Sequence, residues 1–138
     1  TCALPISAYD DYWQTELTEI AIFLALTDVH VQRAPLDGEI VAQRRRAGGY
    51  RPAMTEAATY GNNQVATYLQ TDLGPCTVTQ ISGLVARRIL TWAGVGVSLA
   101  QGEREAGHQR TGRMPVVVAV DQDRIASAAA GRGRGHDA

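Results

Sequence analysis

The amino-acid sequence predicts a mainly β protein, a small antiparallel barrel or sandwich with short helical segments. The main observation is that apolar and polar side chains alternate in segments spaced roughly ten residues apart, with turn-forming residues between them. A second observation is the length of 138 residues, which suits one domain with a core of its own. The two cysteines are too few for a disulfide-stapled scaffold, so packed strands must supply the stability.

The first two predicted strands differ in pattern. Residues 19–26 form an apolar run with β-branched and aromatic members, which is typical of a strand buried on both faces. We therefore expect this run to be a central strand of the sheet. Residues 38–43 follow a turn at Pro35-Leu36-Asp37-Gly38 and are predicted to form the next strand.

Two further strands and two less regular segments complete the predicted core. Residues 64–70 and 76–81 alternate between apolar and polar side chains, and residues 72–75 supply a turn between them. Residues 84–92 fit either a short helix or a strand. Residues 95–103 contain two glycines among small apolar residues, which suits a tight hairpin.

The two ends of the chain differ from its middle. Residues 1–6 are apolar and unpatterned, and we expect a non-native, adapter-like leader there, the alternative being a genuine edge strand. Residues 7–104 form the expected core. Residues 105–138 include alternating glycine and arginine, so we expect a divergent tail that is disordered or frame-shifted, with an RNA-binding tail as the alternative.

The charged residues exclude several classes of protein. The net charge of −1 argues against a nucleic-acid-binding protein, which would carry a strongly basic domain. All 13 basic residues are arginine, so the P-loop, the pyridoxal phosphate Schiff base and the lipoyl or biotinyl carriers, which all need a lysine, are excluded. The longest apolar run is far shorter than the roughly 20 residues of a membrane-spanning helix. The cysteines lack metal-binding spacing, and no metal site is predicted.

Two groups of residues could carry chemistry. Asp28, His30 and Gln32 alternate along a predicted strand and so share one face, where an acid could orient a general base. A satisfied structural histidine is the alternative reading. Arg87 and Arg88 present two guanidinium groups suited to bidentate phosphate or carboxylate recognition, and a solvated charge pair is the alternative there.

Three motifs follow one another along the chain. The first is the apolar run 20–24 with Asp28-Val29-His30-Val31-Gln32-Arg33-Ala34-Pro35-Leu36-Asp37-Gly38. The second is Gln80-Ile81-Ser82-Gly83-Leu84-Val85-Ala86-Arg87-Arg88-Ile89, after the polar turn Asn62-Asn63-Gln64, and the third is the hairpin 96–104 with its Gly-Glu-Arg ending. In this order the motifs resemble the phosphatidylserine decarboxylase family over residues 12–104, in particular its short bacterial and archaeal form.

The resemblance implies a fold, a reaction and a set of site residues. The fold would be a barrel-sandwich-hybrid-like β domain. The reaction would convert phosphatidylserine to phosphatidylethanolamine and CO2 with a self-derived pyruvoyl group, which explains why no lysine is needed. By the same resemblance His30 would act as acid or base with Arg33 beside it, and Gln80, Arg87 and Arg88 would bind the anionic substrate.

The resemblance also implies partners and a location. The partner would be an anionic phospholipid, met by peripheral association with the cytoplasmic face of the cell membrane. Processed two-chain units would form a homo-oligomer, and no nucleic acid would be bound. The segment that the family has upstream of residue 12 is expected to be missing.

The sequence departs from the family where the pyruvoyl group should form. A Gly-Ser-Arg motif is expected shortly after Arg104, but the chain reads Arg110-Thr111-Gly112-Arg113-Met114, so the cleavage region at Gly112 and Arg113 lacks its serine. We therefore expect a non-processing, inactive copy of the enzyme. The alternative is a non-enzymatic barrel-sandwich domain that binds a lipid or a partner.

Overall fold

The fold is taken from a computed structural model that describes residues 5–25, 31–51, 61–84, 87–108 and 114–132. These residues form ten strands and one helix of regular length. The elements are β1 (Ile6–Asp10), β2 (Thr15–Leu24), β3 (Val31–Arg33), β4 (Gly38–Arg46), β5 (Gln64–Thr71), β6 (Gly74–Ile81), β7 (Ile89–Thr91), β8 (Ser98–Leu99), β9 (Arg104–His108), β10 (Met114–Val120) and α1 (Gln122–Arg132).

The strands form two antiparallel sheets. The large sheet has seven strands in the order β1-β2-β10-β6-β5-β4-β8, and the small sheet has three in the order β3-β9-β7. Every pairing between these strands is antiparallel. The prediction of a mainly β fold is therefore confirmed.

The core lies on one face of the large sheet. Because side chains alternate across a strand, each central strand contributes every second residue to this face. Residues beside the small sheet, such as Ala34, close over them. The buried cluster consists of Ala34, Ile40, Leu69, Cys76, Val78, Ala93, Leu99 and Val116.

Most of the predicted strands are found. Strand β2 covers most of residues 19–26 and pairs on both sides, with β1 and β10, although β6 occupies the middle of the sheet. Strands β4, β5 and β6 confirm the strands predicted at residues 38–43, 64–70 and 76–81. Of the ambiguous segment 84–92, the described residues 84 and 87–92 include the short strand β7. The glycines of the predicted hairpin, Gly96 and Gly102, have φ angles of 90° and 84°, which favour glycine.

Part of the segment that was expected to form a disordered tail is regular structure. Strand β10 lies between β2 and β6, and its side chains Val116, Val117 and Ala119 are buried. Helix α1 follows, and the Asp121 Oδ1 atom accepts a hydrogen bond from the Arg124 N–H at 3.1 Å. The prediction treated residues 105–138 as one segment, in which the glycine- and arginine-rich end outweighed the run of valines. Such a run favours a β-strand by itself.

Candidate functional site

A cavity of about 450 Å³ lies where β4 ends and β7 begins. Three arginines line it, and two of them are the pair predicted to bind an anion. None of the residues lining it is acidic. The polar and aromatic residues of this arginine-lined cavity are Arg45, Tyr50, Asn63, Arg87, Arg88 and Thr91.

Two contacts fix the orientation of Arg87. Its Nε atom donates a hydrogen bond to the Leu84 carbonyl oxygen at 2.8 Å. Its guanidinium carbon lies 5.2 Å from the centroid of the Tyr50 ring, within the range of a cation–π contact. Nε and one face are engaged, whereas the guanidinium edge that carries Nη1 and Nη2 has no partner among the described residues and is available to a ligand.

Arg45 is held at the cavity from strand β4. Its Nη2 atom donates to the Thr91 Oγ1 atom at 3.2 Å. Two residues earlier, the Gln43 Nε2 atom donates to the Ala93 carbonyl oxygen at 2.9 Å. Side chains on one face of β4 therefore form hydrogen bonds to β7 and to the segment after it, and these bonds place Arg45 beside the cavity.

Asn62 organises the backbone next to the cavity. This residue is fully buried, and its Oδ1 atom accepts from the Arg51 N–H at 2.9 Å. Its Nδ2 atom donates to the carbonyl oxygens of Arg51 at 2.9 Å and Ser82 at 2.7 Å. The Ser82 hydroxyl in turn donates to the Asn63 carbonyl oxygen at 2.8 Å. Asn62 thus joins three chain segments, a structural role that the sequence motif did not reveal.

Gln80, predicted to bind substrate, lies between the two sheets and not in the arginine-lined cavity. Its Nε2 atom donates to the Gln32 Oε1 atom at 2.5 Å, and both side chains are buried. The Gln80 Oε1 atom has no hydrogen-bond partner within the described part of the chain. The structure therefore brings together two polar residues from separate motifs. Their hydrogen bond links the large sheet to the small one.

Arg33, predicted to lie beside the catalytic histidine, contacts the segment 96–104 of the third motif, which does not form the predicted hairpin because β8 pairs with β4. Its Nη1 atom donates to the Gly102 carbonyl oxygen at 2.8 Å. The backbone of the next residue, Ala34, bonds to Gly102 and Glu103 at 2.8 Å each. His30, with Asp28, and the cleavage region at Gly112 and Arg113 lie outside the described residues, so the roles assigned to them stay predictions.

A second groove of about 450 Å³ crosses the other face of the large sheet. The Asp10 Oδ2 atom accepts from the Thr77 hydroxyl at 2.7 Å, and the Trp13 Nε1 atom donates to that hydroxyl at 3.0 Å. The Tyr68 ring lies in the same groove. Burial, followed by the charge of Asp10, raises the pKa values of Glu19 and Tyr68. The groove is aromatic and of mixed charge, unlike the arginine-lined cavity.

The sequence contained a signal for Arg45 that our prediction missed. Arg44, Arg45 and Arg46 are consecutive, and alternation along a strand turns the middle one away from its neighbours. Of the three, Arg45 alone lines the arginine-lined cavity, although it also borders the second groove. Arg44 accordingly contacts the aromatic rings of the second groove, at 5.2 Å from Tyr12 and 5.7 Å from Tyr68. Tyr50 and Thr91 carried no comparable signal.

The described residues contain neither a metal-binding cluster nor a helix able to span a membrane. They contain no group of three or more histidine, cysteine, aspartate or glutamate side chains arranged to hold a metal ion. Among them, no helix combines the length and the hydropathy needed to cross a membrane.

Comparison with known proteins identifies one family. The family model described as phosphatidylserine decarboxylase matches residues 7–127. The chain is 38% identical over 96 residues to a phosphatidylserine decarboxylase proenzyme of Aromatoleum aromaticum, covering 69% of this chain and 45% of that protein. It is 31% identical over 117 residues to the proenzyme of Geotalea daltonii, covering 84% of this chain and 55% of that protein. The chain thus spans about half the length of these curated relatives. No solved structure is significantly similar to it.

Proposed function

The chain belongs to the phosphatidylserine decarboxylase family, and on that premise we propose that it derives from an enzyme converting phosphatidylserine to phosphatidylethanolamine and CO2. The observation that carries the proposal is the family match over residues 7–127, which includes both sheets and the arginine-lined cavity. A cationic cavity suits a phospholipid substrate because guanidinium groups bind phosphate and carboxylate oxygens in bidentate fashion.

The residues of this chain do not fit the pyruvoyl group that the family reaction requires. Such a group forms from a serine, and the sequence between β9 and β10 reads Gln109-Arg110-Thr111-Gly112-Arg113. The four serines of the chain lie elsewhere, in β1, after β6, in β8 and in α1. We therefore assign no step of the reaction to this group in the chain as written.

The proposal for this copy is that it neither cleaves itself nor decarboxylates. The cleavage region has no serine, and Thr111 carries the only hydroxyl between residues 109 and 113. Elimination from an ester of that hydroxyl would leave a 2-oxobutanoyl group and not the pyruvoyl group of the family. The chain also has no lysine to provide a Schiff base in its place. Purified protein should run as a single species of 14.8 kDa and should not react with hydroxylamine or borohydride.

The test compares the chain with a variant in which serine is inserted between Gly112 and Arg113. Intact mass and CO2 release from phosphatidylserine vesicles are measured for both. The unaltered chain should give one mass and no CO2. Two fragments split near Gly112, with carbonyl reactivity on the smaller one, would overturn the proposal of an inactive copy.

A membrane location is part of the proposal. The substrate is an anionic phospholipid, so we place the protein peripherally on the cytoplasmic face of the cell membrane, with no nucleic acid involved. Support comes from exposed apolar side chains next to the arginine-lined cavity. Leu84 is 51% exposed and its carbonyl binds Arg87, while Trp92, 53% exposed, follows Thr91. Homo-oligomers of processed two-chain units would require the cleavage that this copy is proposed to lack.

Co-sedimentation tests this placement. Vesicles of phosphatidylcholine with 30% phosphatidylserine, about the charge density of an anionic leaflet, should retain the protein. The variant Trp92→Ala should bind less. Equal sedimentation with and without vesicles would refute peripheral association.

A second candidate function is a non-enzymatic domain that binds a lipid or a partner. The arginine-lined cavity favours it because anion binding there needs no serine. The coding DNA separates the two candidates. A one-base correction near Glu105 that restores Gly-Ser-Arg would favour the enzyme, and an intact frame across independent reads would favour the binding domain.

A further inference from the structure

We propose that the arginine-lined cavity binds the phosphodiester of a glycerophosphoserine headgroup, with Arg45 as a third cationic ligand beside Arg87 and Arg88. The inference rests on the proposed function, because that function supplies the headgroup. It goes further in assigning the phosphate to one cavity and in adding Arg45, Tyr50 and Thr91 to the site.

The local charge at the cavity favours an anionic ligand. The whole chain carries a net charge of −1, yet three guanidinium groups line a cavity of about 450 Å³, and none of its described lining residues is acidic. Within the described residues, no carboxylate lies within 4.0 Å of Arg45 or Arg87, and the one salt bridge joins Arg124 to Asp121 on the surface. Two of the three cations are therefore not neutralised by described neighbours, and an anion in the cavity would neutralise them.

The hydrogen-bond donors of the cavity are already oriented for a ligand. Tyr50 stacks under the Arg87 guanidinium, and the Leu84 carbonyl engages its Nε atom. The Nη1 and Nη2 atoms then form a fork of the kind that binds two phosphate oxygens. The Thr91 hydroxyl accepts from Arg45, so its own hydrogen can be donated to the same ligand. Orientation before binding lowers the entropy lost on association.

The size of the cavity and its apolar neighbours suit a lipid headgroup. Its volume lies within the range of small-molecule sites, roughly 300–1,000 Å³. It is closed on one side by the buried side chain of Ile89. The exposed side chains of Leu84, three residues before Arg87, and Trp92, directly after Thr91, are apolar neighbours suited to the glycerol and acyl side of a lipid. A headgroup joined to an apolar anchor matches this combination better than a polynucleotide, which needs an extended basic surface.

The experiment is an NMR titration of the full chain with sn-glycero-3-phospho-L-serine. The amide signals of Tyr50 and Thr91 should shift, and the dissociation constant is taken from their saturation. Inorganic phosphate and L-serine are titrated separately. The phosphodiester should bind at least threefold more tightly than inorganic phosphate, and L-serine should cause no saturating shift at these amides.

Charge-matched variants locate the site. Arg45→Gln, Arg87→Gln and Arg88→Gln should each weaken binding about threefold or more, as expected for charged hydrogen bonds at a partly exposed site. The control Arg46→Gln removes the same charge one residue away, where the side chain lines the groove on the other face of the sheet. It should change the constant by less than a factor of two. Circular dichroism verifies that each variant is folded.

Two outcomes would overturn the inference. An equal loss in Arg46→Gln would show general attraction by positive charge and no specific cavity. Equal affinity for inorganic phosphate and the phosphodiester would show a free-phosphate site and no headgroup subsite. Both results come from binding alone, so they are distinct from a failure of the proposed function, which is read from cleavage and CO2 release.

Discussion

Replacing Asn62 with alanine should destabilise the fold more than any other single amide replacement beside the cavity. The side chain is fully buried and makes three hydrogen bonds to backbone atoms of Arg51 and Ser82. Each such bond contributes about 1 kcal/mol net, and a buried group left unpaired costs about 1–3 kcal/mol. Arg51 is exposed, so water can replace part of what it loses, whereas the contact with the Ser82 carbonyl is buried. We expect a loss of about 3 kcal/mol in the free energy of unfolding.

Urea denaturation followed by tryptophan fluorescence measures this loss. Asn63→Ala is the matched control, since the neighbouring amide side chain lines the cavity and has no hydrogen bond within the described residues. It should change stability by less than about 0.5 kcal/mol. Asn62→Asp should be at least as damaging as Asn62→Ala, because a carboxylate would face the two carbonyl oxygens that now accept from Nδ2. A loss below about 0.5 kcal/mol in Asn62→Ala would refute the assigned role.

Three other substitutions test the sheets. Gln80→Leu leaves the buried Gln32 amide unpaired and should lower the free energy of unfolding, measured by urea denaturation, by about 1–3 kcal/mol. The double variant Gln32→Leu/Gln80→Leu should recover most of this loss. No recovery would contradict the pairing. Val116→Ala should cost about 2 kcal/mol if β10 is a core strand, and no measurable change would contradict that. Burial, followed by Asp10, raises the pKa of Glu19 from 4.5, so the wild type loses stability as pH rises through the folded value. Stability measured from pH 4 to 8 should therefore fall for wild type relative to Glu19→Gln, and parallel curves would contradict the shift.

The sequence predicted the strands whose patterns are local. Alternation in residues 64–70 and 76–81, with a turn between them, defines the hairpin of β5 and β6, because each side chain reports its own face. Strand β10 was missed because its run of valines adjoins a glycine- and arginine-rich end. Its partners β2 and β6 lie far away in the sequence, so no local signal indicates that it fits between them.

The candidate site was predicted only in part for a similar reason. Arg87 and Arg88 stood out as neighbours, but the cavity also needs Arg45 and Tyr50, which come from β4 and the segment that follows it. Gln80 belongs to the same motif as the arginine pair but faces the interior, where it bonds to Gln32. Membership of one motif therefore did not imply one shared surface, because Gln80 belongs to β6 whereas Arg87 and Arg88 lie beyond the end of that strand.

The position of the missing serine has a structural consequence for any processed relative with this strand order. Residues 109–113 join β9, in the small sheet, to β10, in the large one. A cut there would separate β10 and α1 from the rest of the chain. Strand β10 is nevertheless paired along both edges, with residues 18–24 of β2 and residues 76–80 of β6, and Val116 is buried in the core cluster. The two pieces would therefore stay together without a covalent link, since separating them would expose the middle of the sheet. The fold can accordingly tolerate cleavage at this point, so the proposal that this copy is not processed rests on the sequence of residues 109–113 and not on the architecture around them.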